Sequence, residues 1–160
     1  MSRGNDTPCP FRPAGFTLVE ILIVLAIVAI LASIGLGAYD RYREKSRVSQ
    51  AVSDIGAIAV TIKMYELEER DLPPTLDAVG AGKRLDPWGR PYQYFDLSSK
   101  KGNGMARKDK KLAPLNSDFD LYSLGKDGQT KPPLVVPVSR DDVVRARDGK
   151  FIGLAKDFDP

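Results

Sequence analysis

The chain has 160 residues and a formal net charge of +3, and it contains one cysteine, Cys9, and no histidine. The length fits one domain plus an additional segment. The nearly balanced charge gives no argument for nucleic-acid binding. Without histidine the chain lacks the commonest general base and nucleophile-activating partner. We therefore expect a protein that is not an enzyme.

An apolar stretch from Phe16 to Gly37 follows a proline-containing leader that we expect to be disordered. The stretch has about the length that a helix needs to cross a bilayer core. Glu20 is its one charged residue, and a carboxylate at membrane depth usually has a functional partner. The alternative is an ordinary signal anchor in which Glu20 snorkels to the interface.

A second periodic segment continues directly from the apolar stretch and predicts an amphipathic helix. Its apolar residues recur at spacings of three and four: Val48, Ala51, Val52, Ile55, Ile58, Ala59, Ile62 and Tyr65. Polar residues, among them Asp54 and Lys63, are predicted on the opposite face. Pro73 and Pro74 end the pattern. The two segments together predict one helix of about 50 residues, whose second half packs on a head.

Short elements fill the rest of the chain. We therefore predict an α+β fold for the whole chain, in which a long N-terminal helix packs on a small antiparallel β-sheet. The pattern predicts a helical turn at 75–79, strands at 92–95, 118–124, 134–138 and 151–154, and a helix at 142–147 capped by Ser139. Trp88 is expected to cover the core of the head. Residues 97–117 are rich in lysine, with Arg107 among them, and we expect a solvated loop; an anion or DNA contact is the alternative.

The residues Gly15-Phe16-Thr17-Leu18-Val19-Glu20 resemble the class III signal of type IV pilins and type II secretion pseudopilins. The resemblance implies that a prepilin peptidase cuts after Gly15 and that Phe16 becomes the N-methylated N-terminus. It also implies that Glu20 is the assembly glutamate, which neutralises the amino group of a neighbouring Phe16. The implied organisation is a leader at 1–15, a transmembrane assembly helix at 16–38 and a periplasmic head at 39–160.

Two segments of the head, DPWGRPYQY at 86–94 and DFDLYSLGKDGQ at 118–129, resemble the major pseudopilin of type II secretion, the G subunit. The resemblance implies an inner-membrane protein with a single membrane pass. Its subunits would form a periplasmic homopolymer that drives protein export, together with minor pseudopilins and the inner-membrane secretion platform. No nucleic-acid partner is expected.

Calcium is the cofactor that the resemblance implies, because a calcium ion staples the C-terminal loop of the G subunit. Asp127 aligns with the first side-chain ligand, and Asp141 with Asp142 aligns with the second group. Hard carboxylate and carbonyl oxygens are the ligands that calcium takes, but the segment 129–140 between the two groups is longer than in the family. The alternative is that Asp127 only makes a turn and that Asp141 and Asp142 only cap a helix.

Three other functions remain possible at this point. The first is a surface type IV pilin for adhesion, motility or DNA uptake, although many such pilins close a C-terminal loop with two cysteines. The second is a membrane-anchored calcium- or ligand-binding module that never polymerises. The third, an enzyme, is disfavoured because histidine is absent and Cys9 lies in the leader.

Overall fold

The structure is a computed structural model that describes residues 15–98, 105–110 and 112–159, except for the side chains of residues 34–36. It divides into two compact units, Met1–Arg41 and Tyr42–Pro160. One long helix, α1 (Leu18–Glu69), supplies residues to both. The sequence prediction of a single helix of about this length is confirmed.

In the first unit, the described side chains of α1 from residue 18 to residue 41 are all exposed. Phe16 is 79% exposed, and Leu18, Ile30 and Leu31 are each more than 60% exposed. The helix is long and apolar enough to cross a membrane. Its apolar surface therefore has no partner within the described part of the unit.

In the second unit, the apolar stripe of α1 is buried as its period predicts. Ala51, Ile55, Ile58 and Ile62 are each at most 1% exposed. They form one hydrophobic cluster with side chains of the sheet, and Trp88 packs against the edge of that cluster. The expectation for Trp88 is therefore confirmed.

Asp54 lies on the same helix but not on the solvated face where the period placed it. It is 5% exposed, forms an ion pair with Arg84, and accepts a hydrogen bond of 3.0 Å from the Tyr92 hydroxyl. The prediction was wrong because the connector after α1 brings an arginine and a tyrosine onto a face that the helix alone would expose. Two long-range partners satisfy the buried carboxylate.

The sheet has four strands, β1 (Gln93–Asp96), β2 (Phe119–Ser123), β3 (Val143–Ala146) and β4 (Phe151–Leu154). They are antiparallel neighbours in chain order. A 3-10 turn, Leu76–Val79, lies in the connector between α1 and the sheet. The predicted strands at 92–95, 118–124 and 151–154 are confirmed to within one residue at each end.

Two predicted elements between β2 and β4 are wrong. Residues 134–138 form no strand, and a 3-10 turn, Pro137–Ser139, takes their place. Residues 142–147 do not form a helix, because Val143 and Val144 enter β3 and pack on opposite faces of the sheet. The Ser139 hydroxyl does not cap a helix; it contacts the backbone N–H and carbonyl of Lys131.

The two faces of the sheet have different covers. One face, the helix side, packs on α1 through Phe119, Leu121 and Val143. The other face, the loop side, carries a second cluster built around Tyr122 and Val144. Chain segments without regular strand structure cover the loop side and contribute Leu115, Leu134, Ala155 and Phe158 to it. Both faces of β2 and β3 are thus buried.

Candidate functional site

The N-terminal end of α1 is closed by a reciprocal cap between two side chains. The Thr17 hydroxyl accepts a hydrogen bond of 3.2 Å from the Glu20 backbone N–H, and the Glu20 carboxylate accepts one of 3.5 Å from the Thr17 N–H. This is a capping box, which satisfies donors that a helix start leaves unpaired. The motif S/T-x-x-E is readable from the sequence, but the capping role of Thr17 was missed.

The capping box also fixes where the Glu20 charge lies. The carboxylate is turned back toward the helix N-terminus, four residues after Phe16 in the chain. A negative charge at this end interacts favourably with the helix dipole. Cleavage after Gly15 would place a new amino group at Phe16, on the same side of the helix start.

In the head, the segment that begins at Asp86 folds into a tight turn around that residue's carboxylate. Asp86 is 4% exposed, and its Oδ1 accepts hydrogen bonds from the backbone N–H groups of Trp88 and Arg90 at 3.0 and 2.8 Å. Its Oδ2 accepts a hydrogen bond from the Ser123 hydroxyl at the end of β2. Gly89 takes a positive φ of 85° at this turn, which favours glycine.

Arg90 connects the turn at Asp86 to the turn that follows β2. Its Nη1 donates to the Gly125 carbonyl at 2.7 Å, and its Nη2 donates to the Lys126 carbonyl at 3.3 Å. The guanidinium lies against Gly128, where a Cβ would come within 2.5 Å of the arginine Nε. The two segments that resemble the G subunit are therefore held together directly by a guanidinium and two carbonyls.

Of the three aspartates that were predicted as calcium ligands, the structure brings Asp127 and Asp141 together and buries Asp142 against a different partner. Asp127 is exposed, and its Oδ1 accepts a hydrogen bond from the Gln129 N–H at 2.8 Å. The Asp141 Oδ2 accepts one from the Asp127 N–H at 2.9 Å. Asp142 is fully buried and forms an ion pair with Arg107. Burial raises the pKa of Asp142 to about 6, against the opposing effect of Arg107.

Arg107 is the residue that sequence reasoning missed, since it was predicted to lie in a solvated loop. It is 2% exposed, and its guanidinium stacks over the Tyr122 ring at 4.4 Å. Nη1 donates to the Thr130 hydroxyl and, at 3.0 Å, to the Lys131 carbonyl. Nη2 donates to Asp142 Oδ2, which also accepts a hydrogen bond from the Thr130 hydroxyl.

One signal in the sequence could have identified Arg107. It is an arginine in a run whose other basic residues are lysines: Lys100, Lys101, Lys108, Lys110 and Lys111. The planar guanidinium is the side chain that suits buried ion pairs and aromatic stacking, whereas lysine suits exposed positions. Residues 99–104 and 111 of the predicted basic loop lie outside the described residues.

The donor set of this region does not fit the calcium ion that the resemblance implies. Calcium requires several converging carboxylate and carbonyl oxygens. Here the Arg107 guanidinium already forms an ion pair with Asp142. The Arg90 guanidinium already donates hydrogen bonds to the Gly125 and Lys126 carbonyls. In the described part of the chain, no group of three or more acidic, histidine or cysteine side chains is placed to hold a metal.

The first comparison with known proteins concerns the N-terminal segment. Residues 11–36 match the family model described as the prokaryotic N-terminal methylation motif. The match includes Gly15, Phe16, Thr17 and Glu20. The motif, the apolar helix and the α+β head together define the class of this chain, a pilin-like subunit with an N-terminal membrane helix. No solved structure matches the chain.

Curated relatives then identify the particular family. Type II secretion system core protein G of Pseudomonas aeruginosa is 34% identical over 139 residues, which cover 74% of this chain and 87% of the relative. The protein of the same name from Aeromonas hydrophila is 33% identical, covering 74% of this chain and 86% of its own length. A fimbrial protein of Neisseria meningitidis is 28% identical and covers 84% and 79%. The chain belongs to the family of type II secretion system core protein G.

Proposed function

We propose that this pseudopilin is cut after Gly15, methylated on Phe16, and polymerised with copies of itself into the periplasmic filament of type II secretion. It is anchored in the inner membrane by the apolar helix, with its head in the periplasm. Minor pseudopilins, the secretion platform of the inner membrane and a prepilin peptidase are its proposed partners. None of these steps requires catalysis by the chain itself.

The observation that carries the proposal is the contrast between the two parts of α1. The apolar side chains from Leu18 to Leu31 are exposed, while the stripe from Ala51 to Ile62 is buried in the head. Large exposed apolar surfaces mark a membrane or an interaction site. Lipid can cover the first part in the unassembled subunit, and the helices of other copies can cover it in a filament.

Glu20 has a specific role in this assembly. A carboxylate among exposed apolar side chains is costly when it enters an apolar environment without a partner. The methylated amine of Phe16 on a neighbouring copy would neutralise it. The capping box holds the carboxylate toward the helix start, where such an amine would approach.

A surface pilin is the second candidate, since the similarity to a fimbrial protein extends over most of the chain. Core protein G relatives at 31–35% identity favour secretion. The two segments that begin at Asp86 and Asp118 also resemble the G subunit.

The test uses the full chain in a host with the secretion system. Glu20→Gln keeps a side-chain oxygen that can accept the Thr17 N–H but removes the charge. Thr17→Ala is the matched control, because it removes the hydroxyl half of the cap and retains both the charge and the backbone N–H that contacts Glu20. We expect Glu20→Gln to enter the membrane and lose at least tenfold in filament yield, while Thr17→Ala retains most of it.

Intact-mass measurement in the same strains checks processing. The wild-type chain and both variants should begin at N-methylated Phe16. A processed Glu20→Gln chain that forms filaments at the wild-type yield would contradict the charge-neutralising role. An uncut wild-type chain would contradict the proposed function as a whole.

A further inference from the structure

The β2–β3 loop, residues 124–142, contains few large buried side chains and is held mainly by polar contacts. Of its apolar residues, Leu134 is 2% exposed, while Val135 is 52% exposed. Gly125 and Gly128 take positive φ values of 63° and 71°. A loop with little apolar burial needs other contacts to offset the entropy lost on ordering it. Two arginines from outside the loop supply side-chain contacts, in addition to backbone hydrogen bonds with Lys108, Ala155 and Lys156.

Arg107 connects three parts of the head that are distant in sequence. Its backbone N–H donates to Asp120 Oδ2 on β2 at 2.6 Å, and its guanidinium stacks on Tyr122 of the same strand. The guanidinium also bonds Thr130 and Lys131 in the middle of the loop and Asp142 at its end. One side chain therefore joins the strand, the loop and the start of β3.

Arg90 holds the beginning of the same loop. It donates to the Gly125 and Lys126 carbonyls, and Gly128 leaves the room that its guanidinium occupies. Three oxygens that a hard cation could use, the Gly125 and Lys126 carbonyls and Asp142 Oδ2, therefore already have guanidinium donors. Asp127 and Asp141 line a cavity of about 540 Å³ that Lys126, Arg140 and Lys156 also line. Glu44 lines the cavity as well, so its three acidic side chains are balanced by three basic ones, and the lining has no net negative charge to attract a further cation.

We infer that Arg90 and Arg107 hold the β2–β3 loop in place of a divalent cation, so that this chain folds and stays folded without calcium. Arg107 supplies the positive charge for the buried Asp142, and its planar fork satisfies three oxygen acceptors at once. Arg90 satisfies the carbonyls of the turn. The inference concerns the stability of the head and does not depend on filament assembly.

The inference is tested by thermal unfolding of the full-length chain in detergent. Trp88 is the one tryptophan of the sequence and packs at the helix-side cluster, so its fluorescence reports unfolding of the head. We expect the same Tm in EDTA and in millimolar calcium, within about 1 °C. A site saturated a hundredfold above its Kd would instead raise the Tm by roughly 8 °C.

Three variants separate the guanidinium fork from charge. Arg107→Lys keeps the charge and removes the fork, and Arg107→Met removes both. We expect losses of about 5 °C and 10 °C in Tm, since a buried carboxylate loses its partner. Lys108→Met is the matched control: it removes an exposed positive charge from the next residue and should leave the Tm unchanged.

Limited trypsin digestion keeps the test decisive if Arg107→Met fails to fold. Lys126, Lys131 and Arg140 are exposed in the β2–β3 loop. We expect Arg107→Lys to increase cleavage at these residues several-fold, and EDTA to leave cleavage of the wild-type chain unchanged.

A wild-type Tm that falls in EDTA and recovers in calcium, with loss of that response in Asp127→Asn, would overturn the inference. The inference would also be overturned if Arg107→Lys had the same Tm as the wild-type chain and the same rate of cleavage.

Discussion

The two faces of the sheet are held by different kinds of contact. On the helix side, isoleucines from one stripe of α1 meet Phe119, Leu121 and Val143. On the loop side, an apolar cluster around Tyr122 and Val144 is completed by buried charges, Arg107, Asp120 and Asp142. The centre of the helix side therefore depends mainly on apolar area, although charged groups, Asp54 and Arg145, are buried at its edges. The loop side also depends on whether each buried polar group finds its partner.

This difference makes the two faces sensitive to different changes. Apolar contacts on the helix side tolerate replacement by another apolar side chain of similar volume. We expect a guanidinium fork on the loop side to lose stability even on a change from arginine to lysine. The apolar centre of the helix side is thus adaptable, while the loop side requires particular residues.

The largest expected effect concerns the helix side. Phe119 is fully buried, its ring lies 5.8 Å from that of Tyr94, and the Arg145 guanidinium stacks on it at 4.1 Å. Phe119→Ala should reduce the free energy of unfolding by about 4 kcal/mol, through lost burial and the cavity left behind. Denaturant unfolding of the full chain in detergent, followed by Trp88 fluorescence, measures it.

Phe95 is the matched residue on the loop side. It is only partly buried, and its ring stacks on Tyr122 at 6.4 Å. Phe95→Ala should cost less than half as much as Phe119→Ala, because less area leaves water when Phe95 packs. Equal costs would mean that the loop side contributes as much apolar stabilisation as the helix side, and the contrast between the faces would fail.

Sequence patterns predicted the helix side because its information is local. The spacing from Val48 to Tyr65 defined the buried stripe, and alternation defined β2. Asp54 was the exception on α1, since its partners Arg84 and Tyr92 lie 30 and 38 residues away. No periodicity within a helix can report a partner at that separation.

The loop side was predicted poorly for the same reason. The guanidinium of Arg107 finds its hydrogen-bond partners 23 to 35 residues later in the chain, and the local sequence offers only one weak signal, an arginine among lysines. The segment Ser139-Arg140-Asp141-Asp142 has the residue types of a helix N-terminus. Tertiary packing instead placed the valines that follow in a strand covered on both faces. At the N-terminal site, the motif itself carries the prediction, and the family model matches it, while the roles of Gly15, Phe16 and Glu20 stay predictions.

The next prediction concerns the ion pair at the edge of the helix side. Asp118 accepts two parallel hydrogen bonds from the buried Arg145, at 2.8 and 2.9 Å. Asp118→Asn should cost about 3 kcal/mol at pH 7, because it leaves a buried guanidinium without its counter-charge. A loss below 1 kcal/mol would show that the Phe119 carbonyl and ring alone suffice to hold Arg145.

The same carboxylate should make stability depend on pH. Burial alone would raise the pKa of Asp118, but hydrogen bonds from Arg145 and Lys63 outweigh it and hold the pKa well below the ordinary 3.8. A depressed folded-state pKa stabilises the fold fully above the unfolded pKa, and this contribution is lost as the pH falls below it. The difference in unfolding free energy between wild type and Asp118→Asn should therefore shrink from pH 5 to about pH 2.5. A constant difference would contradict this assignment.

The smallest expected effect concerns the other cation on Asp118. Lys63 lies 2.8 Å from the Asp118 carboxylate and equally far from Glu66, but its side chain is 43% exposed, against 2% for Arg145. Exposed ion pairs contribute little, because water and salt screen them and two flexible side chains must be ordered. Methionine at position 63 retains an apolar stem. Lys63→Met should therefore cost at most about 0.7 kcal/mol in the same unfolding measurement, and less in high salt.

Double-mutant cycles compare the two cations directly. The cycle of Lys63→Met with Asp118→Asn should give a coupling energy below about 0.5 kcal/mol, and the cycle of Arg145→Met with Asp118→Asn should give several times more. Similar coupling energies for the two cations would mean that burial does not decide the strength of this ion pair.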